Sequence, residues 1–412
     1  MRTTDPPASP DCREVRDRRG RVYRVGESDT DLLGCGRIRM VVLSWVGMAG
    51  VGCAGAAYAV AGAGDPRLWV LAQAAVAFPA GWLRDGGRLP ARTAVTGGAL
   101  GMLFACLALT FAPGLAVAGA VGGAGAGLVC ATCLTSPGRW CPERRGGPTG
   151  FVVSGCAVAA VPLLLGLEPA GLAATGAGVC LVVAVAGRFL REPPRDWWPP
   201  HPHPLRVPDD PVARRVLAKN PPAVRQHTAG EAARTPVWWL TGLCLLGAAG
   251  ITVLDVHVLT PSGRAAVLAA ALAAGGAGVL SDLAGRRVTL VAALAVLGAV
   301  QFALPAAGRA SAAWPAAVCA GVVGLAASAV LTLVTAMTAD HFGDNHVASV
   351  NGLPAGVLPL PLLLGSPHGA FVLAGCSGLA CAALALFLTP PGRLGARRIV
   401  PNPHPLGEEM AT

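Results

Sequence analysis

The chain has 412 residues, 53% hydrophobic and 13% charged, with a formal net charge of +10. Soluble domains carry roughly a quarter charged residues, so a soluble globular class is excluded. The positive charge does not point to a nucleic-acid partner, because no Arg-rich stripe is interleaved with aromatic residues as a strand-binding groove requires.

Residues 1–39 form a polar, mixed-sign tail, REVRDRRGRVYRVGESDTDLLG over much of its length, and no signal peptide is visible in it. Beyond it the apolar residues come in blocks of about 18 to 24, the length a helix needs to cross ~30 Å of hydrocarbon. Six spans are predicted first: Met40–Gly62, Leu68–Leu83, Arg92–Phe111, Gly114–Thr135, Gly150–Leu167 and Ala170–Phe189. They make a bundle over residues 40–189, and residues 190–236 follow as a central loop rich in Pro and Arg. Six more spans are Val237–Leu259, Ser262–Asp282, Val288–Ala307, Ala312–Met337, Val347–Gly365 and His368–Leu388. They make a second bundle over residues 237–389, and residues 390–412 close the chain as a second tail.

The sequence thus predicts an all-α polytopic membrane protein of twelve transmembrane helices in two six-helix bundles, with both termini cytoplasmic. In that layout only Arg67, Arg264 and Arg309 of the 32 basic residues lie outside, and a shift by one span destroys the asymmetry. Trp69 and Trp314 are expected at outer ends of spans, and Trp82, Trp238 and Trp239 at inner ends. The run GAVGGAGAGL, Gly119 to Leu128, offers small residues for close helix packing.

Most of the thirteen cysteines lie in apolar runs, where they act as small hydrophobes. CATC, Cys130 to Cys133, has redox spacing but no redox context. In the central loop, His201 and His203 of RDWWPPHPHP belong to a semi-rigid linker, and two such residues make a weak metal site. No metal or cofactor is expected.

Two charged knots interrupt the apolar runs: GWLRDGGR at Gly81–Arg88 and GVLSDLAGRR at Gly278–Arg287, 197 residues apart (278 minus 81). Both fall between the second and third span of a half, as in transporters built from two related bundles that rock about a midplane site. Gly81 and Gly278 let a neighbouring helix approach. Asp85 and Asp282 can accept from exposed N–H groups at a helix N-terminus. Arg88, Arg286 and Arg287 can pair with carboxylates across the interface or with anionic headgroups. Contacts of this kind must break when the bundles part, which makes them a gate and not a substrate site.

GxLSDxxGRR is similar to the signature loop of the major facilitator superfamily. The first copy departs from it, since Asp85 is three residues from Arg88 where Asp282 is four from Arg286. GRVYRVGESDTDLLG (Gly20–Gly34), AFPAGWLRDGGRLPAR (Ala77–Arg92), GAGAGLVCATC (Gly123–Cys133), RWCPERR (Arg139–Arg145) and KNPPAVRQHTAGEAART (Lys219–Thr235) resemble actinobacterial members of the oxalate/formate antiporter family. HFGDNHVASVNG (His341–Gly352) matches more loosely. The resemblance implies secondary transport of a small organic anion by alternating access, without ATP, by an antiporter-like monomer in the bacterial cytoplasmic membrane.

Relatives that move dicarboxylates carry basic residues in the eighth and eleventh spans. The matching positions here are Ala274 and Pro354, and no Lys or Arg lies deep in any span. A dianion without countercharge costs on the order of several kcal/mol per charge at mid-membrane. A monoanion, a neutral solute or an apolar compound fits better.

The candidates for contact with substrate or proton are Tyr58, Thr132, Asp255, His257 and Asn351, with Ser154, Thr252, Ser328 and Thr332 as further neutral hydrogen-bonding groups. Asp255 and His257 either serve proton coupling or sit wetted and passive at the outer interface. Two residues apart, they diverge by about 200° around the helix. The alternative to a transporter is a transport-inactive relative kept as a membrane partner or sensor. No nucleophile motif, ligand set or cofactor loop suggests an enzyme.

Overall fold

The structure, a computed structural model, describes residues 12–17, 20–61, 66–112, 115–201, 203–206, 208–258, 266–267, 269–308, 314–355 and 370–390. Its membrane part is helical. In chain order come α2 (Ile38–Ala61), α3 (Pro66–Asp85), α4 (Ala91–Phe111), α5 (Ala116–Cys133), α6 (Ser136–Trp140), α7 (Gly146–Ser154), α8 (Ala160–Leu164) and α9 (Pro169–Gly187). After the central loop follow α12 (Pro236–Val258), α13 (Ala274–Ala284), α14 (Arg286–Gly308), α15 (Trp314–Phe342), α16 (Val347–Ala355) and α17 (Ala370–Ala385).

Seven stretches among the described residues are long and apolar enough to cross a membrane: Ile38–Val60, Ala91–Phe111, Val117–Trp140, Gly146–Leu164, Pro169–Gly187, Arg286–Gly308 and Trp314–Phe342. The other five predicted spans contain α3, α12, α13, α16 and α17, which fall short of that measure over the described residues. The fifth span begins at Gly146, four residues before the predicted Gly150, and so brings its first N–H groups into the interior. Its middle tightens into a 3₁₀ stretch at Gly155–Ala159. Pro162 has no N–H to offer the Val158 carbonyl, and the Ala160 N–H turns to Ala157 and Val158 instead.

Apolar residues cluster twice. One cluster, including Met48, Trp69, Met102, Val129 and Val183, is built almost wholly from residues before the central loop. The other, including Leu245, Ile251, Leu294, Leu297 and Leu333, follows it. Helix α5 packs on α3 and α4, and α9 on α2 and α4; α14 packs on α15 and α17. Across the two halves of the chain, α7 packs on α13 and α16 on α3. In a bilayer, lipid is as apolar as leucine, so close van der Waals fit must hold such helices together. The expected small-residue face provides it: Gly123 and Gly127 lie against the backbone of Trp69 and Gln73. Outward-facing Leu100, Phe104, Leu181, Val185, Phe302, Leu373 and Phe387 are exposed, as a lipid-facing surface requires.

Trp82, Trp239 and Trp314 are exposed, whereas Trp69 and Trp238 are buried. Trp69 stacks on Tyr58, and the Trp238 indole N–H donates to the Val350 carbonyl, a burial its polar atom permits.

The N-terminal tail is more structured than a polar run suggests. Strands β1 (Arg13–Arg16) and β2 (Val22–Val25) form an antiparallel pair with Arg13 opposite Val25. A short helix, α1 (Asp29–Leu33), follows behind a Ser28–Asp31 capping box. The central loop adds α10 (Pro211–Lys219) and α11 (Ala229–Ala233) and is not merely a linker. The Arg24 N–H donates to the Asp196 carbonyl and the Trp198 N–H to the Arg24 carbonyl, so that the hairpin and the loop join edge to edge. Tyr23 meets Trp198 edge-on at 5.4 Å.

Candidate functional site: the interface between the halves

The face that carries α1, α10 and α11 is here called the loop face. The two charged knots lie on it, and each touches the opposite half of the chain. Helix α7 starts at Gly146, where its leading N–H groups have no intrahelical partner and the helix dipole is positive. Asp282, at the end of α13, fills that position: its Oδ1 accepts from the Gly146 N–H at 3.0 Å and its Oδ2 from the Gly147 N–H at 2.9 Å. Asp85, at the end of α3, does the same to α16, its Oδ2 accepting from the Ser349 N–H at 2.8 Å and from the Ser349 hydroxyl at 2.7 Å.

The glycines four residues ahead of each aspartate make the approach possible. A Cβ at Gly278 would overlap the Gly146 carbonyl, and one at Gly81 the Ala348 carbonyl. The structure therefore brings Gly81, Asp85, Gly278 and Asp282 into two equivalent contacts.

The arginines divide differently. Arg286 is buried between Asp282 (2.8 Å) and Asp340 (2.7 Å) and also donates to the Ser281 hydroxyl. Asn220 of the central loop ties the same turn, accepting from the Arg286 N–H and donating to the Ser281 and Asp282 carbonyls. Among the described residues Arg88 and Arg287 reach no carboxylate: Arg88 lies over the Trp82 ring at 5.4 Å, and Arg287 donates to the Leu386 carbonyl at 3.4 Å. Arg88 follows Asp85 by only three residues, in the turn after α3, whereas Arg286 opens a new helix.

Sequence reasoning missed the residues that extend this network. Arg145, 1% exposed in its side chain, holds Asp344 with two nitrogens and reaches Asp340 at 3.3 Å. Arg21 of the tail binds the same Asp344 at 3.0 Å and the Ala223 carbonyl at 2.8 Å. A chain of alternating charge thus runs Asp282–Arg286–Asp340–Arg145–Asp344–Arg21. Within the first half, Arg84 turns inward to the Ala131 carbonyl, Thr135 and Glu192, and Arg139 takes the other oxygen of Glu192 at 3.2 Å. Burial alone would raise the Glu192 carboxyl, but Arg84 and Arg139 outweigh it and hold it below the usual range. RWCPERR and HFGDNH carried a signal, since both place charge in a short connection between apolar runs.

Beyond this network, between the halves, lies a cavity of about 230 Å³. Helices α2, α3, α5, α12, α15 and α16 all contribute to its wall. The lining is mostly apolar, with Met48, Val51, Val70, Leu134, Leu245 and Leu331, and among the described residues no charged side chain faces it. Its polar groups are Gln73, Cys130, Cys156 and Asn351. The Gln73 amide donates to the Cys130 sulfur at 3.6 Å, and the buried Asn351 amide makes no hydrogen bond within the described residues.

Of the other candidates whose side chains are described, none lines this cavity. Tyr58 is buried on Trp69 and against Gly119. The hydroxyls of Thr132, Thr252, Ser328 and Thr332 each donate to a carbonyl of their own helix. Asp255 is fully buried and accepts from Gln301 at 2.8 Å, which overturns a wetted interfacial position for it. The His257 side chain lies outside the described residues. Two of the chain's three glutamines, Gln73 and Gln301, sit inside apolar runs, a signal that reading for charge alone passes over.

No family model matches the sequence, and no curated protein does. Solved structures do match in fold. A crystal structure of the human organic anion transporter MFSD10 (TETRAN) superposes with a TM-score of 0.59 at 14% identity, covering 85% of this chain and 98% of that one. The major facilitator superfamily proton:xylose symporter XylE, bound to 6-bromo-6-deoxy-D-glucose, gives 0.61 at 11% identity, covering 86% of this chain and 96% of that one. The fold is that of a major facilitator transporter, a multi-pass membrane architecture.

Proposed function

We propose that this chain is a secondary transporter of a small solute, working by alternating access in a bacterial cytoplasmic membrane. In this reading twelve spans form two six-helix bundles, 40–189 and 237–389, with both tails and the central loop cytoplasmic. The two apolar clusters and the lopsided distribution of arginine support that division. The loop face is then the cytoplasmic face, and the Asp85 and Asp282 contacts are its closed gate. They join helix ends from opposite halves and have to break for the cavity to open on that side.

The observation that carries the reading is the cavity itself, walled by both halves and, among the described residues, free of charged side chains. Such a site suits a neutral or mainly apolar solute, or a monoanion, and disfavours oxalate. The antiporter resemblance and the two structural neighbours support a transporter of organic compounds.

The test is thermal stability of the purified protein in detergent against formate, oxalate, longer monocarboxylates and neutral solutes. A ligand held only by the folded state raises stability once its concentration passes its Kd. A shift with neutral solutes or one monoacid is expected. A shift with oxalate would overturn the argument from missing countercharge, and a folded protein that answers nothing in a broad panel would favour the transport-inactive partner.

A further inference from the structure

Asp255 and Gln301 are each 0% exposed, and one hydrogen bond joins them, Gln301 Nε2 to Asp255 Oδ2 at 2.8 Å. The other oxygen of each group, Asp255 Oδ1 and Gln301 Oε1, is buried with no partner. Two leftover acceptors on two side chains already in contact is an arrangement that an ionised carboxylate cannot repair. A carboxylate has acceptors only, and the amide has spent one donor.

A single proton repairs both. Placed on Oδ1, it donates to Gln301 Oε1 while Nε2 continues to donate to Oδ2, and the two planar groups close a cyclic acid–amide pair. Turning the amide over exchanges which carboxyl oxygen carries the proton and leaves the count unchanged. The ionised alternative would leave a full charge in apolar surroundings with one neutral donor, together with an orphaned carbonyl, and burial penalises both.

Nothing nearby among the described residues offers a compensating charge. Among the described residues Gln301 is the only hydrogen-bonding or charged partner of Asp255. Helix α12 packs on α11, α14, α15, α16 and α17. The charged groups those helices carry are Glu231, Arg286, Arg287, Asp340 and His341, all at loop-face ends and engaged there. Asp255 lies 19 residues along α12 from Pro236, about 28 Å at 1.5 Å per residue. The other titratable groups with described side chains on these helices are thiols: Cys381 packs on Gly247, Cys376 is exposed, Cys319 is half-buried, and Cys244 donates to the Cys381 carbonyl; the side chain of His257, two residues along α12, lies outside the described residues. Helix α16 carries no titratable group.

We propose that Asp255 holds a proton in the state described, paired cyclically with Gln301, and that this pair is the proton-binding site of the transport cycle, which makes H⁺ the coupling ion. The coupling role rests on the transport reading above; the protonated pair does not. Helices α12 and α14 both belong to the second half of the chain, and the pair ionises when a movement between them admits water. Asp255 then gives its proton to that water, becoming a carboxylate that keeps the Gln301 N–H and gains hydration. The return movement expels the water and requires a proton back.

The experiment uses the full chain in detergent at neutral pH. Asp255→Asn replaces the carboxylic O–H by an N–H of the same shape and preserves both hydrogen bonds to Gln301. The infrared spectrum of the wild type minus that of D255N is expected to contain a protonated-carboxyl carbonyl band that shifts in D₂O. D255N is expected to melt with the wild type, and D255A several degrees lower. Absence of the band, with D255N folded, would overturn the protonated pair.

The coupling role is read separately, by hydrogen exchange of residues 145–154 at several pH values, corrected for intrinsic exchange. Wild-type protection there should change with pH, while D255N stays at the acidic-side value. Identical pH behaviour of both proteins would overturn the coupling role even with the band present. A band and a pH response in a protein that binds no solute would instead remove the transport reading alone.

Discussion

Replacing Asp282 with alanine removes two charge-assisted hydrogen bonds to the start of α7 and one of the two carboxylates around Arg286. Hydrogen bonds to charged groups contribute roughly 1.5–3 kcal/mol each. Breaking one partner out of a buried ion pair costs about 3–5 kcal/mol, though Asp340 remains on Arg286 at 2.7 Å. The contact between α13 and α7 should therefore lose on the order of 3–4 kcal/mol, equivalent to roughly 10²–10³-fold in the opening equilibrium. Hydrogen exchange resolves this locally. D282A should speed exchange across residues 145–154 by about two orders of magnitude and leave residues 347–355 near the wild-type rate. D85A should do the reverse and by less, because among the described residues the Asp85 carboxylate holds only Ser349, and the Arg195 bond to its backbone carbonyl survives the change. Unchanged exchange at 145–154 in a folded D282A protein would refute the reasoning. An equal rise in both segments would refute it too, since that would mean general loosening and not two independent latches.

Gly278→Ala and Gly81→Ala should each lower the melting temperature and favour opening of the loop face, because the added methyl overlaps a carbonyl of the opposite half at a cost of about 1–3 kcal/mol. Gly276→Ala, which has open space for its Cβ, should leave the melt unchanged or raise it slightly. Arg84 and Arg139 hold the Glu192 carboxyl low in the folded protein, so its contribution should be complete above the unfolded value of about 4.3 and lost as pH falls through the folded one. Melting curves of Glu192→Gln should show a lower plateau at neutral pH and a flatter acid limb than the wild type. Asn351→Leu fills part of the cavity with an apolar side chain and removes its unbonded amide. It should abolish the melting shift produced by any solute that stabilises the wild type, while the ligand-free melt stays within a few degrees.

The seven long apolar stretches among the described residues were legible because apolar block length is a local property, and the paired Gly–Asp knots were legible because the same four-residue offset recurs. What those aspartates touch was only half legible: a helix N-terminus could be expected, but the identity of α7 and α16 depends on which ends the two bundles bring together. Arg88 and Arg84 show the limit well. Spacing along the chain drew attention to Arg88, while the folded helix turns Arg84 inward to Glu192, 108 residues away. The Asp255–Gln301 pair spans 46 residues and two helices, so neither partner marks the other in the sequence. The tail hairpin escaped notice for another reason. Its strands have four residues each, too few for an alternation to rise above a basic, mixed-sign run.

The tail also sets an order of assembly. Arg21 is made well before its partner, since Asp344 follows 323 residues later. At synthesis rates of about 5–20 residues per second, that is a wait of roughly a quarter of a minute to a minute. The helices of the first half can pack during this time, but the start of α7 stays uncapped until Asp282 emerges 136 residues behind Gly146. Docking of the hairpin under Asp344 therefore has to wait until much of the second half has been made. A ribosome that stalls between the halves would release a first bundle whose inner face still presents bare helix-end donors and an unmatched Arg145, a surface for quality control to detect.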